Sequence, residues 1–181
     1  MKNYCLNKLL FLILSLTINN AFASDSLADG EAIVTVQNGQ PCFSYPLDEA
    51  TKKNKFHLYE IEVYENKGGN YSSIKYWDLD INPQNRKSII SLNAPEQCFE
   101  YGVVPPLTKH NVHAIPIKIN TPYRVFLTIY SPEIASSSAS FRTYFNDFCL
   151  TLDTNNKKTV IIPEFNSSKG VFECGAVIRN L

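Results

Sequence analysis

Tyr123, Val125, Leu127 and Ile129 alternate with Arg124, Phe126 and Thr128, and this two-residue period limits what the chain can fold into more than any other feature. Alternation sends successive side chains to opposite faces of a strand, whereas a helix needs a period of 3.6. The pattern recurs. Ala32, Val34 and Val36 alternate with Ile33, Thr35 and Gln37, and Asn38-Gly39 follows as a hairpin turn in which both residues tolerate positive φ. Cys42-Phe43-Ser44-Tyr45 resumes extended structure, and Pro41 points to a sheet edge. Tyr59, Ile61 and Val63 share one face, opposite Glu60 and Glu62. Lys67-Gly68-Gly69-Asn70 then turns the chain, and residues 74–79 return with the single tryptophan, Trp77. Residues 87–92, 98–103, 141–152, 159–162 and 171–178 read as further strands, with Asn155-Asn156 as a turn. Eight to ten short strands separated by Gly, Asn and Pro, with no sustained helical period, predict an all-β fold, specifically an Ig-like two-sheet antiparallel β-sandwich with two disulfides. Pro105, Pro106, Pro116 and Pro122 make much of 104–122 loop or irregular edge, and Ser136-Ser137-Ser138 reads as a loop tip.

The first residues follow a different pattern. Lys2 and Lys8 precede an apolar run over 9–18, and Ala21-Phe22-Ala23 supplies a small-x-small cleavage signal. Those are the three parts of a secretion signal. The run of about 10 residues is half the roughly 20 needed to span a bilayer. The expected organisation is a cleaved signal peptide at 1–23, a loose N-terminal lead at 24–30, and a single β-sandwich domain at 31–181. Removing residues 1–23 from the 181 leaves 158, enough for a substantial core. Lys2 and Lys8 leave with the signal, so 15 of the 17 basic residues face 17 acidic ones, a net charge near −2. This balance offers no electrostatic basis for nucleic acid or an anionic membrane surface, and no stable membrane anchor is expected.

Cleavage also removes Cys5 and turns five cysteines into four: Cys42, Cys98, Cys149 and Cys174. An even count in an exported domain reads as two disulfides. Four cysteines allow three pairings, of which the sequential one, Cys42–Cys98 with Cys149–Cys174, is favoured. In the chain-entropy model these loops are worth roughly 4 and roughly 3.5 kcal/mol. No Cys-x-x-Cys occurs, so the spacing of a zinc site is missing.

A search for chemistry assigns no catalytic, cofactor-binding or metal residue and no small-molecule ligand. His110-x-x-His113 falls in the proline-rich stretch and reads as solvated loop, and His57 sits at a strand start. There is no Gly-x-Ser-x-Gly, dinucleotide fingerprint or phosphate loop. Asp78-Leu79-Asp80-Ile81-Asn82 imitates the start of a calcium loop, but Pro83 stands where that loop needs glycine and Ile89 where it needs a bidentate Glu. A strand end followed by a turn accounts for it. Glu60 and Glu62 read as the solvated face of a strand. Asn70-Tyr71-Ser72 and Asn166-Ser167-Ser168 have the form of glycosylation sequons. The ten tyrosines are interface-prone residues, and most are accounted for by sandwich packing.

The run Val34-Thr35-Val36-Gln37-Asn38-Gly39-Gln40-Pro41-Cys42-Phe43-Ser44 resembles the opening of a family of type VI secretion immunity proteins of Gram-negative bacteria, described as periplasmic lipoproteins. Further matches keep order and spacing: Leu58-Tyr59 with Ile61 and Val63, Trp77, Asn82-Pro83, Leu92, Cys98, Tyr101-Gly102, Pro122-Tyr123, Phe148-Cys149 and Cys174. The resemblance covers roughly 31–152 plus the last cysteine. It implies a periplasmic protein that binds a protein toxin, an antibacterial effector injected by a neighbouring cell, and protects by occlusion rather than by chemistry. It names no contact residues. A lipoprotein carries cysteine directly after its cleavage point, where this chain has Ser24-Asp25, so a form without a lipid anchor is expected. The competing expectation is an exported envelope or adhesin-type structural module.

Overall fold

The computed structural model describes residues 29–53, 56–68, 74–81, 92, 97–106, 108–134 and 140–175. The expected signal peptide, most of the lead, the predicted strand at 87–92 apart from Leu92, the Ser136-Ser137-Ser138 tip and the end of the last predicted strand lie outside these residues.

The chain forms β1 (Gly30–Glu31), β2 (Ile33–Gln37), β3 (Gln40–Ser44), the short helix α1 (Glu49–Lys53), β4 (His57–Glu65), β5 (Lys75–Ile81), β6 (Phe99–Glu100), β7 (Thr108–Val112), β8 (Pro122–Tyr130), β9 (Phe141–Leu152), β10 (Lys158–Ile161), β11 (Glu164–Asn166) and β12 (Val171–Glu173). The larger sheet runs β1-β9-β8-β4-β5-β7, with β10 also paired to β9. A second sheet runs β2-β3-β6, and β11 pairs with β12 alone. The pairings are antiparallel except for β1 against β9. The all-β prediction holds at this level: antiparallel sheets with two disulfides.

Period two decides which face of each strand is buried. Tyr123, Val125, Leu127 and Ile129 on β8 are fully buried, as are Ile61 and Val63 on β4 and Trp77 and Leu79 on β5. Phe43 descends on them from β3. Its ring centroid lies 5.6 Å from Phe148, 6.4 Å from Trp77 and 6.4 Å from Tyr101. The small sheet therefore covers the apolar face of the large one, and one hydrophobic cluster joins both. Each large side chain removed from water there contributes about 2 kcal/mol. The Tyr101 hydroxyl meets the carbonyls of Ile115 at 2.6 Å and Tyr76 at 2.9 Å, satisfying a buried polar group.

The turns follow their residues. Asn38 and Gly39 take φ of 50° and 77°, the left-handed pair a two-residue hairpin needs, and Gln37 pairs with Gln40 across them. Other elements depart from expectation. Pro41 lies on the central strand of its sheet, not an edge: it pairs with Val36, and its carbonyl accepts the Tyr101 N–H at 2.8 Å, so β3 uses the one backbone group proline retains. Gly30, expected in the loose lead, belongs to β1. Asp29 holds that segment to β9, its N–H donating to the Thr143 carbonyl at 2.6 Å and its carboxylate accepting the Thr143 N–H at 2.8 Å. Inside the proline-rich stretch, β7 forms the edge of the large sheet. The helix α1 has no periodic signal in sequence, and Asp48 caps it by accepting the Thr51 N–H at 2.7 Å.

The disulfides are Cys42–Cys98 and Cys149–Cys174. The first ties β3 to the residue preceding β6. The second ties β9 to the residue after β12 and so anchors the β11–β12 hairpin. That hairpin also leans on the turn after β4, where Gly68 has φ of 86°. A Cβ there would run into the Gly170 carbonyl oxygen and lie 2.7 Å from Val171 Cα. Gly68→Ala should therefore cost about 2 kcal/mol through backbone strain and displacement of the hairpin. Chemical denaturation measures the loss, and hydrogen exchange should locate it at 164–173; an unchanged midpoint would refute the contact.

Candidate functional site

The outer face of the large sheet, opposite the core, carries the most distinctive chemistry. Strands β4 and β5 pair so that Glu60 faces Asp80 and Glu62 faces Asp78. Like charges directly opposite on neighbouring strands repel. Lys75 relieves one pair. Its Nζ lies 2.6 Å from Glu62 Oε1 and 2.5 Å from Asp78 Oδ2, and 5.4 Å from the centroid of the Tyr64 ring. Tyr64 also donates to Glu62 Oε1 at 2.9 Å. From β7, the Asn111 amide donates at 3.1 Å to both Asp78 Oδ1 and Asp80 Oδ2. No described cation reaches Glu60 or Asp80 in the same way, and Asp80 Oδ1 is buried without a hydrogen-bond partner.

Electrostatics follow from this arrangement. Burial of Lys75 opposes its charge, but hydrogen bonds to Asp78, Glu62 and Tyr64 outweigh burial and hold the ammonium well above its usual value. Desolvation, then the charges of Glu62 and Asp78, push Glu60 from 4.5 up to about 6; Lys75 offsets part of this and Asp80 adds to it. The folded protein thus binds the Glu60 proton more tightly than the unfolded chain. Between pH 4.5 and about 6 the native state holds the extra proton, so stability falls as pH rises through that window. The full shift corresponds to about 2 kcal/mol, and solvent screening of a partly exposed carboxyl reduces it to about 1. Glu60→Gln should therefore raise the melting temperature by about 3 °C at pH 8 and leave it unchanged at pH 4, measured by calorimetry. Parallel pH profiles for the two proteins would contradict the assignment.

Three of these carboxylates, from Glu60, Glu62 and Asp78, bring one oxygen each within 4.8 Å of one another. Oxygen ligands of this kind suit hard cations. Lys75, however, engages Glu62 and Asp78 with its own ammonium, so the group already holds a cation supplied by the chain. Across the same face, Arg124 and Asp147 are mutually satisfied, Nε donating to Oδ1 at 2.7 Å and a terminal nitrogen to Oδ2 at 2.6 Å, with Arg124 stacked 5.2 Å from the Phe145 ring centroid. Tyr64, Phe126 and Phe145 form an aromatic row between the two charge clusters, with centroids 6.1 Å apart at each step.

The sequence had read Glu60 and Glu62 as solvated and Asp78 and Asp80 as a strand end. Instead Asp78 is buried within β5, and the hairpin gathers all four. Lys75, Tyr64 and Asn111 were missed. Their signal was present in part: β4 and β5 both carry carboxylates on alternate positions, which the register of the hairpin sets against one another. His110 lies on β7 with its ring 4.7 Å from that of His113, and no third described ligand residue joins them. His57 is buried at the start of β4. Asn166 is engaged in its own turn, accepting from Ser168 and donating to Glu173 at 3.0 Å. Asn70 lies outside the described residues.

A second concavity of about 640 Å³ opens between the start of β8 and the β11–β12 hairpin, lined by Pro122, Glu164, Phe165, Phe172 and Glu173. The carboxylate of Glu173 is satisfied there, by Asn166 and by Lys169 at 2.7 Å. No helix among the described residues is long and apolar enough to cross a membrane. No protein-family model, curated protein or solved structure matches this chain.

Proposed function

We propose that this chain is a periplasmic immunity protein that binds and occludes an antibacterial type VI secretion effector, protecting the producing cell and its siblings. The observation that carries the reading is the outer face of the large sheet, where facing carboxylates adjoin a row of aromatic rings. Aromatic residues are among the types that anchor tight protein interfaces, and carboxylates belong to the polar rim around them. The ordered motifs that resemble the immunity family support the same role. Two disulfides argue for an oxidising, exported environment, and the N-terminal pattern supplies the export signal. The protein acts by binding, and we assign it no reaction and no lipid anchor.

We also propose that the two packed sheets form an Ig-like sandwich in the broad sense. Tyr123, at the start of β8, supports this: its hydroxyl accepts the Lys118 N–H at 3.0 Å, five residues upstream, as the tyrosine corner of such folds does. Neither disulfide joins the two facing sheets, so the antibody-type arrangement is not invoked.

Deleting the gene and competing the mutant against its parent tests the function. The mutant should be killed on contact, and the exported protein should co-purify with an effector. Equal survival of mutant and parent, with no co-purifying toxin, would overturn the proposal. Recovery as strand-exchanged polymers or with a pilus-type chaperone would favour the envelope module.

A further inference from the structure

The turn of the β2–β3 hairpin is built from a chemically reactive pair of residues. Asn38, Asn120 and Asn156 all take left-handed backbone, with φ of 50°, 57° and 60°. Thr121 and Lys157 follow the last two, whereas Gly39 follows Asn38, and no other asparagine of the chain precedes a glycine. Glycine has no Cβ to keep other atoms away from its backbone nitrogen. Asn38 is exposed, so water reaches it. Its Nδ2 donates to Glu100 Oε2 at 2.9 Å and so ties the hairpin tip to β6. That strand has two residues and two register pairs with β3, and it carries Phe99 and Tyr101 into the core.

We infer that Asn38 is a modification site, at which spontaneous loss of ammonia replaces the bond to Glu100 with a repulsion and loosens β6. The Gly39 nitrogen attacks Cγ of Asn38. The new N–C bond closes a five-membered imide, the Cγ–Nδ2 bond breaks, and Nδ2 leaves as ammonia with the proton that Gly39 gave up. Water then opens the imide at either carbonyl, restoring an N–H and leaving aspartate or isoaspartate. One water is taken up and one ammonia released, so the reaction needs no other reactant and advances with the age of the molecule. Ring closure requires the side chain to swing from Glu100 to Gly39, so the hydrogen bond slows it. A carboxylate at position 38 has no proton to offer Glu100, and like charges meet where a hydrogen bond was. The stem of Lys158 also lies beside Gly39, and an ammonium that neutralised the new carboxylate would spare β6. The chemistry belongs to the turn and does not depend on what the protein binds.

The test incubates the oxidised, exported chain at mildly alkaline pH and maps its peptides by mass. The mass gain of an amide-to-acid change should appear at Asn38 before it appears at Asn120 or Asn156. Glu100→Ala, whose fold is checked by its melting temperature, should convert about fivefold faster, the factor that one hydrogen bond is worth. Equal rates in parent and Glu100→Ala would overturn the assignment. So would an unmodified Asn38 after the denatured chain has converted fully, because the turn would then hold the side chain away from Gly39. Asn38→Asp, made directly, reads the consequence. Hydrogen exchange should show protection lost at Phe99, Glu100 and Tyr101. Asn38→Asp/Glu100→Gln should regain it, because the neutral amide removes the repulsion and donates to the new carboxylate. Full protection in Asn38→Asp would sink the loosening of β6. A loss that the double variant leaves uncorrected would place the damage in the turn and not in the facing charges, and would overturn the inference as well.

Discussion

Trp77→Ala should destabilise the protein by about 4 kcal/mol, the largest loss expected from a single side chain. Trp77 is fully buried on β5, directly under the small sheet. Its ring lies 5.2 Å from Tyr101 in an edge-on contact and 6.4 Å from Phe43, so its removal opens a cavity where the two sheets meet. A close-packed interior relaxes little around such a gap, and the lost transfer energy and the cavity add. The indole N–H is buried with no hydrogen-bond partner. Trp77→Phe should therefore cost well under half as much, because it keeps most of the apolar volume and removes a desolvated donor. Urea unfolding of both variants checks the pair. A Phe variant as damaged as the Ala variant would mean that the nitrogen is satisfied after all.

Removing the first disulfide has a comparable effect by a different route. Cys42→Ala/Cys98→Ala frees a loop whose ends are 56 residues apart, and chain entropy predicts a loss of about 4 kcal/mol. The consequence is also structural, since β6 is a two-residue strand held to β3 by two register pairs. Without the crosslink, Phe99 and Tyr101 should loosen from the core. Cys149→Ala/Cys174→Ala releases a shorter loop, 25 residues apart, at a cost of about 3.5 kcal/mol, and its damage should stay near β11 and β12. Hydrogen exchange distinguishes the two. Protection lost across the β2-β3-β6 sheet is expected for the first variant, and protection lost only over 164–175 for the second. Equal melting temperatures for the oxidised parent and the first variant would refute the stabilising role.

Much of the fold was legible because strands write their faces into sequence. The Tyr123-to-Ile129 alternation named four core residues of β8, and Asn38-Gly39 named its turn through the cost of positive φ for other residues. The sites where reading failed share a cause. Pro41 is barred from a central strand only where its missing N–H is needed, and that depends on which neighbour bonds it. β7 hid among prolines because its pairing to β5 comes from outside the segment. The outer-face site was half legible: Glu60 and Glu62 were on the correct face, but their opposition to Asp80 and Asp78 required the hairpin register, which the sequence joining β4 to β5 leaves open.

Local chemistry alone was enough to establish strand content and the buried face of the main strands. These depend on side-chain period and on residue type, which neighbours in the chain express directly. Tertiary structure alone decided sheet order, the covering of Trp77 by Phe43, and the gathering of Glu60, Glu62 and Asp78 beside Lys75. Those depend on register between distant segments, where a slip of one residue would send every side chain to the other face. Glu60 stands opposite Asp80 for that reason, and the facing of like charges there is a property of the pairing, not of either strand.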